Sequence, residues 1–264
     1  MDVIPKIIEN KKKLLNKTKN KKSLNEIKKE AIDYTSTKTN NFRFQEKLNE
    51  DKHTKLIAEY KPASPSQGNI SSLKVEDVIP IYNQTKVDMI SVLTEESYFK
   101  SNLQNLKKAT ELTNKPILRK DFVIDEYMIY EAALYNASAV LLITNITPDI
   151  NNCLNICEDL GLDAIVECHS KEDIDSIIEY NPKIIGINNR NLTNLTINLE
   201  TTKKLQKYVP NFMISESGVN TPEDAKLLKS YGANAVLIGT SILKNNEKKG
   251  IEDVINNLSN VLKK

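Results

Sequence analysis

The chain has 264 residues, which suits one large domain. Its hydrophobic fraction of 39% is low for a domain of this size, because lysine and asparagine are abundant. Its 37 basic and 35 acidic residues leave a net charge of +2, which argues against a general attraction to nucleic acid. It contains no apolar run of membrane-spanning length, and its N-terminus lacks the order of a secretory signal, so we expect a cytoplasmic protein with no membrane partner.

Residues 1–50 differ from the rest of the chain and predict an N-terminal helical extension. A capping box at residues 23–26, Ser-Leu-Asn-Glu, predicts the start of its second helix. A partial helical stripe of apolar residues precedes that box: Ile4, Ile7, Ile8, Leu14 and Leu15. Two interpretations stay open. The extension is either a solvated basic arm with one apolar face docked on the rest of the domain, which we favour slightly, or a cover that closes on substrate.

Residues 51–264 alternate short apolar runs with helix-like segments. The apolar runs are 56–58, 89–93, 116–118, 139–143, 164–166, 184–187, 213–214 and 235–238. Eight such runs predict an α/β fold, a (β/α)8 TIM barrel that forms a single domain with the extension. In that fold the carboxyl ends of all strands meet at one mouth, so residues far apart in sequence form one site.

Three helix starts in this region are marked by a capping hydroxyl. Thr147 precedes Pro148, Thr221 precedes Pro222, and Ser170 precedes an acidic turn. We therefore predict helices that begin directly after these three residues.

The cysteines, Cys153, Cys157 and Cys168, are too few for a disulfide framework and fit a reducing compartment. With only two histidines in the chain, further metal ligands are scarce, so we predict ordinary buried thiols and no metal site.

Charged residues follow several of the predicted strands. Glu59 and Lys61 lie two apart, so their side chains share a face and place a carboxylate beside an ammonium over the barrel lumen. Lys120 follows the third strand in a setting that can lower a lysine pKa or fix its position. Glu167 ends the fifth strand, where desolvation would let a carboxylate exchange protons near neutrality. Each alone is also compatible with a structural ion pair or an ordinary loop charge.

Two of only 7 glycines, Gly218 and Gly239, follow the seventh and eighth strands. Barrels often bind phosphate there through backbone N–H groups, and Ser217, Thr240 and Ser241 would add hydroxyl donors. We predict a phosphate site, with two tight turns as the alternative.

The chain resembles the indole-3-glycerol phosphate synthase family over nearly all of residues 44–244. The resemblance rests on segments that follow one another in order: IAEYKPASPSQG at 57–68, SVLTE at 91–95, PILRKDF at 116–122, AIVE at 164–167, GINNR at 186–190, SESG at 215–218 and LIGTS at 237–241. The N-terminal segment resembles the family only loosely.

This resemblance implies a small phosphorylated substrate, 1-(2-carboxyphenylamino)-1-deoxyribulose 5-phosphate, and closure of its indole ring with loss of carbon dioxide and water, in tryptophan biosynthesis. It implies no cofactor. The family pattern gives Lys120 as the general acid, Glu167 as the group assisting dehydration, and Glu59 with Lys61 as the pair orienting the anthranilate part. It matches the remaining catalytic and binding positions to Asn188, Ser64, Phe122, Arg190, Glu216 and Ser217, and the phosphate cradle to Gly218, Gly239 and Thr240.

Some segments depart from the family pattern. Lys86-Val87-Asp88 and Asn136-Ala137-Ser138 each stand where Gly-Ala-Asp is usual, Asn191 replaces a common aspartate, and residues 100–101 replace a usual glycine. These changes affect loops rather than the proposed acid or phosphate groups.

Two rival functions stay open at this point. One is a different sugar-phosphate barrel, such as phosphoribosylanthranilate isomerase, and the other is a silent barrel that serves as a binding module. The presence of Lys61, Lys120 and Glu167 together argues against both. A monomer and a weak homodimer are both compatible with the sequence.

Overall fold

A computed structural model describes residues 3–39, 41–50 and 52–264 and shows eight parallel strands closed into a barrel. The strands are β1 (Lys55–Tyr60), β2 (Met89–Leu93), β3 (Ile117–Lys120), β4 (Ala139–Ile143), β5 (Asp163–Cys168), β6 (Ile184–Asn188), β7 (Phe212–Glu216) and β8 (Ala235–Ile238). Each strand pairs with the next in sequence, and β8 pairs with β1. The predicted TIM barrel is confirmed, and each predicted apolar run overlaps one strand.

Helices cover the outside of the barrel. After β1 they are α4 (Val75–Gln84), α5 (Leu103–Leu112), α6 (Tyr127–Leu134), α7 (Ile150–Asp159), α8 (Lys171–Ile177), α9 (Glu200–Leu205), α10 (Pro222–Ser230), α11 (Thr240–Leu243) and α12 (Lys248–Lys263). A short antiparallel hairpin, Ala63–Ser64 with Gly68–Asn69, follows β1. No helix of the described residues has both the length and the apolar character needed to cross a membrane.

Two of the three predicted helix starts are confirmed. Ser170 and Thr221 each accept the backbone N–H three residues on, as capping residues do. The start at Thr147 is wrong. The Thr147 hydroxyl instead accepts the N–H of Ile143 at 3.0 Å, and Asp149 caps a helix that begins at Ile150. The hydroxyl is used to close the turn after β4, so the helix starts later.

The barrel has an apolar interior as well as an apolar layer beneath its helices. Alternate strand residues such as Ile57, Met89, Leu118, Ile165 and Ile214 fill the lumen and are fully buried. The three cysteines are free and buried, as predicted.

Three helices precede the first strand: α1 (Val3–Lys21), α2 (Leu24–Ser36) and α3 (Arg43–Asn49). The capping box at Ser23 is confirmed, with Ser23 and Glu26 bonded reciprocally. The buried face of α1 consists of Ile7, Lys11 and Leu15, whereas Leu14 of the predicted stripe is 39% exposed.

The extension touches both ends of the barrel. In α1, Ile4 and Ile7 lie at the mouth formed by the carboxyl ends of the strands. Helix α2 packs on α6, along the outside. In α3, Phe44 packs with the lumen residues, and its N–H donates to Asp163 at the start of β5 at 2.7 Å. Helix α1 thus lies over the mouth and has one face docked on the barrel. Its position is the one expected both of a docked arm and of a cover. Its closing on substrate stays a prediction.

Candidate active site

A cavity of about 200 Å³ opens at the carboxyl end of the barrel. The structure brings together there nearly all of the residues predicted from sequence: Glu59, Lys61, Ser64, Lys120, Phe122, Glu167, Asn188, Arg190, Ser217, Gly218, Gly239 and Thr240. Glu216 does not line the cavity and reaches the site through Lys120. Ser241, predicted as a further hydroxyl donor, does not line it either, because its hydroxyl donates to the Val219 carbonyl at 3.0 Å. Convergence of strand ends, which the fold dictates, accounts for this assembly.

Lys120, at the end of β3, is held between carboxylates. Its ammonium donates to Glu216 and lies 3.6 Å from Glu167 Oε2. Burial disfavours its charge, but the nearby carboxylates of Glu216, Glu167 and Glu59 outweigh that cost and raise the Lys120 pKa above its ordinary value. The prediction of a fixed position is therefore confirmed. The alternative of a lowered pKa is wrong, because three carboxylates surround the ammonium.

Glu216 is the carboxyl group that titrates near neutrality. Burial raises its pKa to about 7; Glu167 and Glu59 act in the same direction, and Lys120 opposes them. Its Oε1 is buried without a hydrogen-bond partner among the described residues. A β-carbon at Gly186, on the neighbouring strand, would lie 2.5 Å from that oxygen, so glycine there makes room for the carboxylate.

Glu59 and Lys61 form an ion pair of 2.5 Å at the end of β1. Glu59 is buried, and the Lys61 side chain is 17% exposed and lines the cavity. Arg190 also lines the cavity: burial lowers its pKa, and Glu59 acts in the opposite direction. The pair is thus both a strand-end ion pair and part of the cavity wall.

Gly218 and Gly239 each have a packing reason to be glycine. Gly218 has φ +97°, and a β-carbon there would lie 2.6 Å from Ile197. A β-carbon at Gly239 would collide with the Glu59 carboxylate. Neighbouring side chains therefore require glycine at both positions, whether or not a ligand binds there. The phosphate cradle stays a prediction.

Sequence reasoning missed the link between α1 and the loop after β3. Lys11 of α1 forms a buried ion pair of 2.6 Å with Asp121, the residue after Lys120. Asp121 also contacts Arg119 at 3.2 Å and accepts the Thr94 hydroxyl. Lys11 stands in a run of lysines, but it lies four residues after Ile7 and four before Leu15, so its position on the apolar face of α1 was the signal that could have found it.

Two further contributors to the site were missed. His169 follows β5 directly, and its Nε2 is 3.3 Å from the Glu167 carboxylate. An apolar wall beside the predicted Phe122 joins α1 to the barrel: Ile7, Leu93, Phe99, Leu141 and Ile143. These five residues were visible in sequence only as apolar positions, since apolar character alone does not separate core from cavity.

Comparisons with known proteins bear on the family of this chain. The family model for indole-3-glycerol phosphate synthase matches residues 4–254. An indole-3-glycerol phosphate synthase of Clostridium kluyveri is 42% identical over 92% of this chain and 93% of its own length. One from Clostridium acetobutylicum is 41% identical, covering 96% and 97%, and one from Methanothermobacter marburgensis is 38% identical, covering 97% and 91%.

Among solved structures, a thiamine phosphate pyrophosphorylase from Pyrococcus furiosus superposes with a TM-score of 0.62 at 14% identity, over 83% of this chain and 98% of that one. At this identity the similarity shows the barrel fold alone. The family match over nearly the whole chain and the close relatives show more: this chain belongs to the indole-3-glycerol phosphate synthase family, whose members are decarboxylating lyases.

Proposed function

We propose that this chain closes the indole ring of 1-(2-carboxyphenylamino)-1-deoxyribulose 5-phosphate, releasing carbon dioxide and water to give indole-3-glycerol phosphate. The observation that carries the proposal is the position of Lys120, a charged ammonium at the cavity wall between Glu216 and Glu167. Ring closure onto a ketone requires an acid that is held at one point of the cavity wall.

In the first step the ring carbon that bears the carboxylate attacks the ketone carbon. The carbonyl electron pair moves to oxygen, and Lys120 donates a proton to it. A developing alkoxide is a stronger base than an amine, so even a lysine with a raised pKa transfers its proton favourably. The carbon–carboxylate bond then breaks, and its electrons flow into the ring towards the cationic nitrogen. The substrate supplies its own electron sink, so we propose no cofactor.

The second stage expels the new hydroxyl group as water. It needs a proton on the leaving oxygen and a base for the proton lost from the ring system. We assign the base to Glu167, which is 2% exposed and within 3.6 Å of Lys120. After ring closure Glu216, with its pKa of about 7, returns a proton to Lys120, and Lys120 then donates that proton to the leaving oxygen.

The cavity wall supports binding of both ends of this substrate. Lys61 is a cation at the entrance that can pair with the anthranilate carboxylate, while Phe122 and the rest of the apolar wall suit its ring. We propose that Ser217, Gly218, Gly239 and Thr240 hold the phosphate across the mouth. Asn188, Arg190 and Ser64 then line the path between the two ends.

We further propose a cytoplasmic location, a small-molecule substrate rather than nucleic acid or a membrane, and a monomer or weak homodimer. Support comes from the nearly balanced charge and from three free, buried cysteines, which fit a reducing compartment.

The test is direct. Purified protein is incubated with the carboxyphenylamino sugar phosphate, and indole fluorescence is followed with time. We expect fluorescence to rise with the parent and to stay flat with Lys120→Ala. Equal rates for the two proteins, or no product from the parent, would refute the proposal.

A further inference from the structure

A second cavity lies at the opposite end of the barrel from the mouth. Its volume is about 290 Å³, several times the roughly 30 Å³ that one water occupies. It is formed where the connection between α2 and α3 passes the turns that precede β4 and β5. We call it the base cavity and define it by Thr37, Lys38, Arg43, Asn136 and Ser138.

The charged residues that line the base cavity are both cations. Lys38 donates to Asn136 Oδ1 at 2.7 Å and lies 4.3 Å from the Tyr34 ring centre. Arg43 donates to the backbone oxygen of Asn114. Within residues 3–39, 41–50 and 52–264, no carboxylate lies within 4.0 Å of either cation. Two positive groups therefore line one cavity with no carboxylate in direct contact with either.

Both cations carry a charge that their surroundings disfavour. Burial lowers the pKa of Lys38, and the neighbouring charge of Arg43 lowers it further. Burial also lowers the pKa of Arg43, and Glu46, one turn along α3, offsets this only in part. A bound anion would relieve both costs.

The rest of the lining is mixed: Ala137, Leu160 and Leu162 are apolar, and other lining residues carry hydroxyl groups. Ser138 is 6% exposed, and its oxygen accepts the N–H of Ile117 at 3.2 Å. No acceptor among the described residues is assigned to its hydroxyl hydrogen, which is therefore available to a ligand. Thr37 adds a second hydroxyl at the rim, where its own oxygen bonds the backbone of Tyr34.

The turn before β4 contributes two uncharged polar side chains to the base cavity. Asn136 holds the Lys38 ammonium through its Oδ1, and Ser138 lies on the wall without adding a charge. The turn therefore positions one cation and does not neutralise it.

We propose that the base cavity is a second anion site, which binds a phosphate group between Lys38 and Arg43. The guanidinium fork and the ammonium are the side chains best suited to a tetrahedral oxyanion, and the hydroxyls supply further donors. The cavity is larger than the ion alone, so the phosphate is either inorganic or part of a small metabolite.

The test is calorimetric titration with sodium phosphate at constant ionic strength. The parent is compared with Lys38→Gln/Arg43→Gln and with a control of equal charge, Lys12→Gln/Lys29→Gln, whose residues are exposed. We expect the cavity variant to lose one binding site, or to bind there at least about tenfold more weakly, with the control unchanged. Any phosphate bound at the mouth is retained in all three proteins.

Ser138→Asp is the second arm, because it adds a carboxylate with little disturbance of the backbone. Asp88 already accepts the N–H of Leu56 at 2.9 Å in the equivalent turn before β2, and the introduced carboxylate would accept the N–H of Ile117 in the same way. This variant should lose the same phosphate site while melting near the parent temperature. It also decides the question if the double variant does not fold.

Ribose 5-phosphate distinguishes the two sources of the phosphate group. The comparison is made at the site that Ser138→Asp removes. If ribose 5-phosphate binds there more tightly than inorganic phosphate does, the natural ligand is a sugar-phosphate type of metabolite. If it binds more weakly, the ligand is the free ion. The proposal is overturned if neither Lys38→Gln/Arg43→Gln nor Ser138→Asp changes the number or affinity of phosphate sites.

Discussion

Replacing Glu216 by glutamine should flatten the dependence of stability on pH. The parent carboxyl has a pKa of about 7 in the folded protein against an ordinary value of 4.5. The folded state therefore holds this proton more tightly than the unfolded chain does. Stability from this group is fully present at low pH and is lost as the pH rises from 4.5 through 7. At about 1.4 kcal/mol per pKa unit, the loss is on the order of 3 kcal/mol.

Glutamine cannot ionise, and its amide oxygen can still accept from Lys120. Between about pH 5 and about pH 8, the free energy of unfolding of the parent should therefore fall by about 3 kcal/mol more than that of Glu216→Gln. Because Glu216 is 1% exposed, solvent screening does not reduce this difference much.

Urea unfolding followed by circular dichroism at the two pH values measures the effect. Glu158→Gln is the matched control, since Glu158 is exposed on α7 and should leave the parent pH dependence unchanged. If Glu216→Gln retains the full pH dependence of the parent, then Glu216 does not titrate near neutrality and its assignment as the proton reservoir for Lys120 is wrong.

Four further outcomes are expected. Lys120→Ala should lower kcat about 10²–10⁴-fold while a phosphate-bearing product analogue still binds, and a turnover within a few-fold of the parent at saturating substrate would disprove its role as the acid. Glu167→Gln should lower kcat and leave the affinity for that analogue nearly intact; parallel losses of rate and affinity would make Glu167 a binding residue. Gly239→Leu should raise KM more than it lowers Tm and should weaken inhibition by inorganic phosphate. Because its side chain would also displace Glu59, unchanged phosphate inhibition with a lowered Tm would reject the cradle. Lys11→Met should speed hydrogen exchange in α1 with little change in α12, because it removes a buried ion pair to the loop after β3; equal protection in parent and variant would show that the pair does not hold α1 in place.

The barrel itself could be predicted because its signal is local and repeated. A run such as 139–143 is apolar at every position, as expected of a strand buried on both faces, and Ala139–Ile143 is the strand observed. Positions at the carboxyl ends of such strands converge by topology, which is why Lys120 and Glu167 could be assigned to one site before any coordinates were known.

What could not be predicted depends on contacts between distant segments. The pKa of Glu216 is set by burial and by three groups from three other strands, the carboxylates of Glu167 and Glu59 and the ammonium of Lys120. Thr147 has the sequence signature of a cap, but its hydroxyl is taken by Ile143, and only the turn geometry reveals this.

The route of the N-terminal extension has a consequence for synthesis. Its helices are made first, yet α3 bonds to Asp163, which follows Phe44 by 119 residues, and α1 pairs with Asp121. At about 5–20 residues per second, roughly 6–24 s pass between the emergence of Phe44 and that of its partner. The extension is thus synthesised before the segments on which it docks. The apolar face of α3 stays exposed in the nascent chain until β5 has been translated.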